Sequence, residues 1–235
     1  MTNAFTYVGN ELDIFASATN WKQYFSRQLQ PYIRGDILEV GAGIGTTTHI
    51  LCRGKKRSWT CLEPDVQLVN RLIDSLHDTT LSVKPSVINS TVNQLLPDQQ
   101  FDTILYIDVL EHIENDANEL ITAASHLRQN GMLIVLSPAH QMLYTPFDRA
   151  IGHFRRYDKA SLKAISPPGL TLKRCFYLDS VGLLASLGNR LLLQSSMPTP
   201  KQIWFWDRVM IPLSRWLDLL LGYRIGKSIV AVWQQ

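Results

Sequence analysis

The segment Ile37-Leu-Glu-Val-Gly-Ala-Gly-Ile-Gly-Thr-Thr-Thr constrains this chain more than any other. A buried-strand pattern, Asp36–Val40, runs straight into Gly41, Gly43 and Gly45 and then into Thr46–Cys52, which starts a helix. Glycines at that spacing let the backbone turn sharply, and they let a ligand lie on the main chain with no Cβ between. The helix start also offers N–H groups that have no intrahelical partner. Strands joined to helices in this way belong to a parallel sheet flanked by helices, and the pattern downstream repeats it. Ser58–Leu62 reads as a second strand, followed by a helix from Asp65 to about Leu76 with Val66, Val69, Leu72 and Ile73 on one face. Val83–Asn89 is a weaker third strand and Phe101–Ile107 a fourth. A helix over Asp116–Gln129, closed by Asn130–Gly131, then leads to a fifth strand, Met132–Ser137. After a long polar loop come a short helix capped by Asp158, with Leu162 and Ile165 inward, and strands Leu170–Tyr177 and Ser228–Trp233.

The charges around the glycines narrow the ligand. A dinucleotide loop reads G-x-G-x-x-G, but Thr46 stands where the last glycine would be. Glu39 lies two residues before Gly41, where it repels a pyrophosphate and attracts a cationic amine. Glu63, twenty residues past Gly43, ends the second strand, where an acidic side chain accepts hydrogen bonds from ribose hydroxyls. Glycine loop, Glu39 and Glu63 together fit S-adenosylmethionine better than NAD, and better than a purely structural strand–turn–helix.

At these residues the sequence resembles the class I S-adenosylmethionine-dependent methyltransferases. The resemblance continues through Phe101-Asp-Thr-Ile-Leu-Tyr-Ile-Asp-Val-Leu-Glu-His-Ile and covers roughly residues 31–177, with 227–232 similar to the family's last, antiparallel strand. It implies a Rossmann-like, seven-stranded, mostly parallel α/β sheet with the cofactor across the carboxyl ends of strands one to four. By position it places Glu39, Gly41, Gly43 and Gly45 at the methionine part, Glu63 and Pro64 at the ribose, and Asp108 and His112 beside the cofactor. The family's acidic residue near the adenine is replaced here by Asn89-Ser-Thr-Val-Asn, so Ser90 or Thr91 takes that place.

The loop Ser137–Tyr157 lies at the carboxyl edge of the sheet, where open sheets bind ligands. Methyl transfer is an in-line displacement at a sulfonium, so positioning dominates, and an oxygen or ammonium nucleophile must also shed a proton. His140, His153 and Tyr157 are the base candidates, His140 the most open of them. Tyr144, Asp148, Arg155 and Arg156 are acceptor contacts. The structural alternatives are that Arg155 and Arg156 pair with Asp148 or Asp158, and that His153 only ties the loop down. Gly152-His-x-Arg-Arg-Tyr resembles a block in a bacterial small-molecule branch of the family. In that branch N-terminal helices cover the cofactor, so Tyr7, Trp21 and Tyr24 either close the pocket or simply pack their helix. No metal-ligand cluster is recognisable, and none is expected. His49, His77 and His126 fall on helices and receive no role.

Composition bounds the rest. With 235 residues, 46% of them hydrophobic, the chain is long enough for one large packed domain. A formal net charge of +3 is too weak to point to nucleic-acid binding, so no nucleic-acid partner is expected, and Arg53, Lys55, Lys56 and Arg57 read as a solvated turn. Cys52, Cys61 and Cys175 are odd in number with no CxxC spacing, so neither disulfide framework nor zinc knuckle is expected. Met1–Asn10 lacks the order of a signal peptide, and no uninterrupted run of about 18 apolar residues occurs, so a cytoplasmic protein is expected. Yet four of the six tryptophans, Trp204, Trp206, Trp216 and Trp233, fall in the C-terminal third. From Trp206, the residues Val209, Met210, Leu213, Trp216, Leu217 and Leu220 share one helix face, with Asp207, Arg208, Ser214, Arg215 and Asp218 opposite. Pro212 should bend or break that helix. Its apolar face either packs on the sheet, lines an acceptor pocket, or rests on a membrane holding a lipid-linked substrate, in which case the protein is membrane-peripheral.

The expected organisation is an N-terminal helical cap over 1–30, a cofactor-binding core over 31–177, a helical insertion or lid over 178–224, and a final strand over 225–235. The function this implies is methyl transfer from S-adenosylmethionine to a small, partly apolar acceptor such as a secondary metabolite, sugar or lipid-linked compound. A non-catalytic cofactor-binding or interaction protein, an NAD-type oxidoreductase and a cyclase on the same fold are the rivals.

Overall fold

The computed structural model describes residues 7, 9, 11–77, 81–192 and 198–235; the remainder of the expected N-terminal cap and residues 193–197 of the expected insertion lie outside them. Strands β1 (Asp36–Val40), β2 (Ser58–Leu62), β3 (Ser86–Ile88), β4 (Phe101–Ile107), β5 (Leu127–Pro138), β6 (Thr171–Leu178) and β7 (Ser228–Gln234) form a seven-stranded sheet in the order β3-β2-β1-β4-β5-β7-β6. The pairs from β3 to β5 are parallel, and β7 is antiparallel to both neighbours. Between β1 and β4 the order reverses, which opens a crevice at the carboxyl ends of those two strands. Val40 pairs with Leu62 on one side and Tyr106 on the other, so the loops that begin at Gly41, Glu63 and Asp108 emerge together.

Strand alternation divides the core. Ile37, Leu105, Ile134, Leu136 and Val230 face the N- and C-terminal helices, while Leu38, Ile104, Tyr106, Leu133 and Trp233 face the opposite layer. That opposite layer includes α5 (Asp116–Ser125) and α7 (Lys159–Ala164), the latter capped by Asp158, whose carboxylate accepts the Ser161 N–H, with Leu162 buried as expected. α4 (Val66–His77) buries Leu68, Val69, Leu72 and Leu76, whereas Val66 and Ile73 are exposed, so the inward face is rotated from the expected one. The helix before β5 also ends early. Leu127 already pairs with Phe101, and the next registered pair is Met132 with Thr103, so Arg128–Gly131 loops out within β5, with Asn130 at positive φ. Asn130–Gly131 is thus a bulge device and not a helix cap.

The additions at the two ends pack on one another. α1 (Glu11–Ala16) and α2 (Thr19–Leu29) precede the sheet. α8 (Ser180–Leu192), α9 (Pro200–Phe205), a π-helical turn over Trp206–Met210 and α10 (Ile211–Leu220) lie between β6 and β7. The helical path from 200 to 220 passes Pro212 without breaking. Proline falls in the first turn of α10, where its missing N–H does least harm, directly after the wider π turn.

The orientation of this helix reverses the expected one. Asp207, Ser214 and Asp218 are buried, while Leu213, Trp216 and Leu220 are 55%, 75% and 82% exposed. Backbone donors explain it. α2 begins at Ala18, which has no side chain to cap it, and Asp207 supplies the cap from outside by accepting from the Asn20 and Trp21 N–H groups at 3.2 and 2.9 Å. Asp218 accepts from the Tyr24 hydroxyl (2.7 Å) and from the N–H groups of Asp179 and Ser180 (2.7 and 2.9 Å) at the start of α8. Asp179, at φ 67°, accepts from Ser214 Oγ and Trp206 Nε1, both at 2.7 Å. Orphan helix-start donors outweigh the burial of the leucines and Trp216 because unsatisfied buried N–H groups are costly. The Asp218→Ala substitution strands three buried donors and is expected to lower stability by ~2–4 kcal/mol, measured by urea denaturation.

Candidate active site

The crevice at β1 and β4 holds a cavity of about 220 Å³. Its walls are the glycine loop from Gly41 to Thr47, Asp108 to His112 after β4, residues of the β5 loop including His153 and Arg156, and side chains of the N-terminal helices. Gly41, Gly43 and Gly45 all have positive φ, the region open to glycine. A Cβ on Gly41 would meet Val109 at 2.7 Å, and one on Gly45 would meet Leu72 and Ser75 at 2.7 Å. At Gly43 the space above the loop is filled by Leu12, 3.8 Å away. The loop leads into only one turn of helix, α3 (Thr48–Leu51).

The acidic side chains flanking the loop are engaged. Glu63 accepts the Gly43 N–H on Oε2 (2.8 Å) and the Asp65 N–H on Oε1 (3.0 Å), and burial raises its pKa against those two bonds. Asp65, at the expected start of the helix, caps α4 and also accepts the Tyr7 N–H, which draws the N-terminal segment over this side of the loop. Glu39 lies behind the cavity wall and accepts from Thr48 Oγ1 (2.7 Å) and Trp59 Nε1 (2.8 Å). Burial pushes its carboxyl up to about 7. Pro64 accepts from Asn89 Nδ2, and Thr91 caps the short turn Val92–Gln94; neither lines the cavity.

The base candidates separate cleanly. His140, at φ 65°, turns its Nε2 to the Gly226 carbonyl (3.0 Å) and stacks on Tyr177, outside the cavity. Tyr157 is buried on the other side of the sheet, donating to Asp116 (2.8 Å) and the Leu110 carbonyl, and that carboxylate and burial hold its hydroxyl protonated. His153 alone of the three lines the cavity. Its Nδ1 faces Asp148 Oδ1 at 2.9 Å, and Asp148 also takes two bonds from Arg156, at 2.8 and 2.9 Å. Burial lowers the His153 pKa, but the Asp148 bond and the Glu111 carboxylate outweigh it and raise it.

Arg156 therefore pairs with Asp148, and Arg155 with Asp116 at 2.6 Å; Asp158 takes neither. One guanidinium nitrogen of Arg156, Nη1, is buried with no partner. Trp21 lines the cavity, but Tyr24 is spent on Asp218 and Tyr144 donates to the His153 carbonyl, both away from the cavity. His112 lines it beside His153, ring centroids 4.5 Å apart, and burial drops its pKa to about 3.

Sequence reasoning missed Glu111, Lys22 and Lys227. Glu111 is fully buried at the cavity wall, with Oε2 accepting from Ser137 and Oε1 without a partner. A signal was present, since Glu111 sits among Val109, Leu110 and Ile113 directly after a buried strand. Lys22 reaches the Phe15 and Ala16 carbonyls, and its pKa falls to about 8 through burial, against the pull of Asp108 and Asp207. A second cavity, of about 650 Å³, opens between α8, α9 and the β5 loop. It shares Phe15, Phe147, Arg156, Trp206 and Lys227 with the first.

Residues 38–133, which span the glycine loop through the first half of β5, match the family model of a methyltransferase domain. Over those residues the chain is similar to a methyltransferase domain. A ubiquinone biosynthesis O-methyltransferase of Rickettsia felis is 28% identical over 101 residues, 43% of this chain and 40% of that protein. The match thus spans less than half the length of that relative. Among solved structures, a putative methyltransferase in complex with the Haloferax volcanii Trm112 methyltransferase activator aligns over 97% of this chain and 98% of its own, with TM-score 0.63 and 14% identity. The N-methyltransferase NodS of Bradyrhizobium japonicum WM9, in complex with S-adenosyl-L-homocysteine, aligns over 94% of this chain and 87% of its own, with TM-score 0.58 and 13% identity. These likenesses show the fold. In this chain the cavity occupies the crevice at the sheet's switch point, beneath the N-terminal helices.

Glu39 also gives the chain a pH signature. Its folded pKa of about 7 lies above the ordinary carboxylate value of 4.5, so its contribution to stability is full below pH 4.5 and is lost as pH rises through 7. The Glu39→Gln variant lacks this loss. Its stability relative to the parent is expected to rise by about 2.5 kcal/mol between pH 5 and pH 8, read from denaturation curves at both pH values.

Proposed function

We propose that the chain transfers a methyl group from S-adenosylmethionine to a small, partly apolar acceptor. The observation that carries this reading is the juxtaposition, in one cavity, of a glycine cradle in which a Cβ at Gly41 would clash with Val109, and of the carboxylates Asp108 and Glu111 on the facing wall. That combination suits a ligand that lies on the main chain and is positively charged. Gly41, Gly43, Gly45, Asp108 and His112 would hold the cofactor's methionine end, and Glu39, from behind, supplies a carboxylate whose ionisation a cationic head group favours. Glu63, Pro64 and Thr91 would serve its adenosine end, with Glu63 exchanging backbone N–H donors for ribose hydroxyls as the N-terminal segment yields. When bound, the cofactor supplies an electrophilic methyl carbon on a sulfonium; the chain's own residues align the acceptor, which accounts for ~7–11 kcal/mol in reactions of this kind. Among the described candidates, His153, which lines the cavity and is steadied by Asp148, would take the acceptor's proton. The Glu63→Ala variant is expected to bind S-adenosylhomocysteine at least about tenfold more weakly in calorimetry, consistent with the loss of two charge-assisted hydrogen bonds. Unchanged affinity would remove Glu63 from the site.

The acceptor's apolar character rests on the second cavity and on the surface beside it. Ala185, Pro198, Ile203, Phe205 and Met210 line that cavity, and the outward face of 200–220 presents Trp204, Phe205, Leu213, Trp216, Leu219 and Leu220 to solvent. The only acidic residues of that stretch, Asp207 and Asp218, are buried, which leaves Lys201, Arg208 and Arg215 as its outward charge. Aromatic and leucine side chains interleaved with cations fit the interface of an anionic bilayer. No helix among the described residues is long and apolar enough to cross a membrane, so the contact proposed is peripheral. The full chain is expected to sediment with phosphatidylglycerol vesicles and not with phosphatidylcholine vesicles, and the double variant Trp216→Ser, Leu220→Ser to stay in the supernatant. Loss of self-association in that variant, without any vesicle binding by the parent, would assign the face to a second copy of the chain instead.

A further inference from the structure

Glu111 Oε1 poses a specific problem. A carboxylate oxygen that is fully buried and unpartnered is rare, because the desolvation it suffers has nothing to offset it. The atoms around it are not hydrogen-bond donors placed to serve it. His153 Nε2 lies 3.9 Å away, too far for a hydrogen bond. Yet one ligating atom from each of Glu111, His112 and His153 lies within 4.8 Å of the others. Two ligand atoms bound to one ion at about 2.0–2.2 Å each lie at most about 4.4 Å apart. Glu111 Oε1 and His153 Nε2, at 3.9 Å, meet that as they stand, and the 4.8 Å spread of the three leaves a few tenths of an ångström for the side chains to close on the ion.

We propose that Glu111, His112 and His153 hold a divalent cation in the wall of the cavity, and that this cation takes the oxygen of the acceptor. The supporting contacts are those of a metal site. Asp148 faces His153 Nδ1 at 2.9 Å, which fixes the ring and leaves Nε2 to point at Glu111, the arrangement by which a carboxylate orients a ligating histidine. Asp148 is itself held by Arg156 and Thr145, so the orienting group does not wander. Ser137 holds the other oxygen of Glu111 at 2.9 Å and leaves Oε1 as the ligand. One carboxylate with two imidazoles suits a borderline ion such as Mn²⁺ or Zn²⁺, and three protein ligands leave coordination positions open.

The proposal rests on the methyl-transfer reading and sharpens it by naming an alcohol or phenol as the acceptor. Coordination of the acceptor O–H to the ion acidifies it, and the proton passes to solvent. The oxygen then forms a bond to the methyl carbon, the carbon–sulfur bond breaks, and its electron pair stays on sulfur, so the sulfonium becomes a neutral thioether. No other reactant is needed. His153 then acts as a ligand and not as the base.

The test uses the full chain, stripped with chelator and titrated with Mn²⁺ while free ion is followed by electron paramagnetic resonance. One site per chain is expected. Glu111→Gln and His153→Ala should each weaken it by more than the about 10–100-fold that a lost orienting residue produces, and Asp148→Asn by an amount within that range. Zn²⁺ calorimetry on the half-buried His112→Ala variant guards against misfolding of the buried variants. Binding of neither ion, or binding that all four variants leave intact, overturns the proposal. S-adenosylhomocysteine calorimetry on the same stripped protein reports the methyl-transfer reading separately, because loss of the cation site leaves the glycine cradle in place.

Discussion

Backbone N–H groups at the starts of α2 and α8 must be satisfied, and three aspartates from the C-terminal insertion and its hinge do it. Asp207, Asp218 and Asp179 each sit buried, and between them they join the N-terminal helices, the end of β6 and the helical run 200–220. The position of the N-terminal helices over the glycine loop follows from this, since Trp21 and Lys22 are brought to the cavity by the helix that Asp207 caps. So does the outward turn of the leucines and tryptophans. A single electrostatic requirement thus fixes both the roof of the cavity and the character of the outer surface.

The β5 loop is organised by a fourth aspartate. Asp148 gathers Thr145, His153 and Arg156 into one cluster, and Arg156 then stands in the wall between the two cavities. Arg156 and His153 are six and three residues beyond the short helix α6 (Pro146–Ala150) that carries Asp148, so the turn after that helix, closed by the His153 N–H on the Asp148 carbonyl, brings them together. The narrower cavity sets Asp108, Glu111, His112 and His153 among apolar side chains, and the wider one has far fewer titratable groups. Two cavities of different character thus lie a few side chains apart.

The sheet was legible in the sequence because buried parallel strands and a glycine turn leave local marks. Asp36–Val40, Ser58–Leu62 and Phe101–Ile107 lie where the apolar runs place them, and the Asp158 cap is as its spacing suggests. The strand β3 is shorter than its apolar run, three residues at the sheet edge. What local pattern could not convey is partnership at a distance. Periodicity assigns Asp207 and Asp218 to water, because it knows nothing of the uncapped α2 nearly 190 residues earlier. It also cannot tell His140 from His153: both lie in one polar loop, and only packing sends one to Gly226 and the other to Asp148. Glu111 was overlooked for a related reason, since a carboxylate after a strand reads as solvated until the fold closes over it.

The unpartnered Nη1 of Arg156 has a consequence for which molecules the wider cavity retains. Its lining is greasy enough to admit a hydrocarbon, but a hydrocarbon lying against Arg156 leaves that N–H donor unsatisfied in a dry wall. A ligand that brings an oxygen to the same point removes the penalty, and sites of this kind discriminate far more sharply than apolar ones. On the proposed function the wider cavity would therefore favour amphiphiles, an oily body with a polar head set against Arg156.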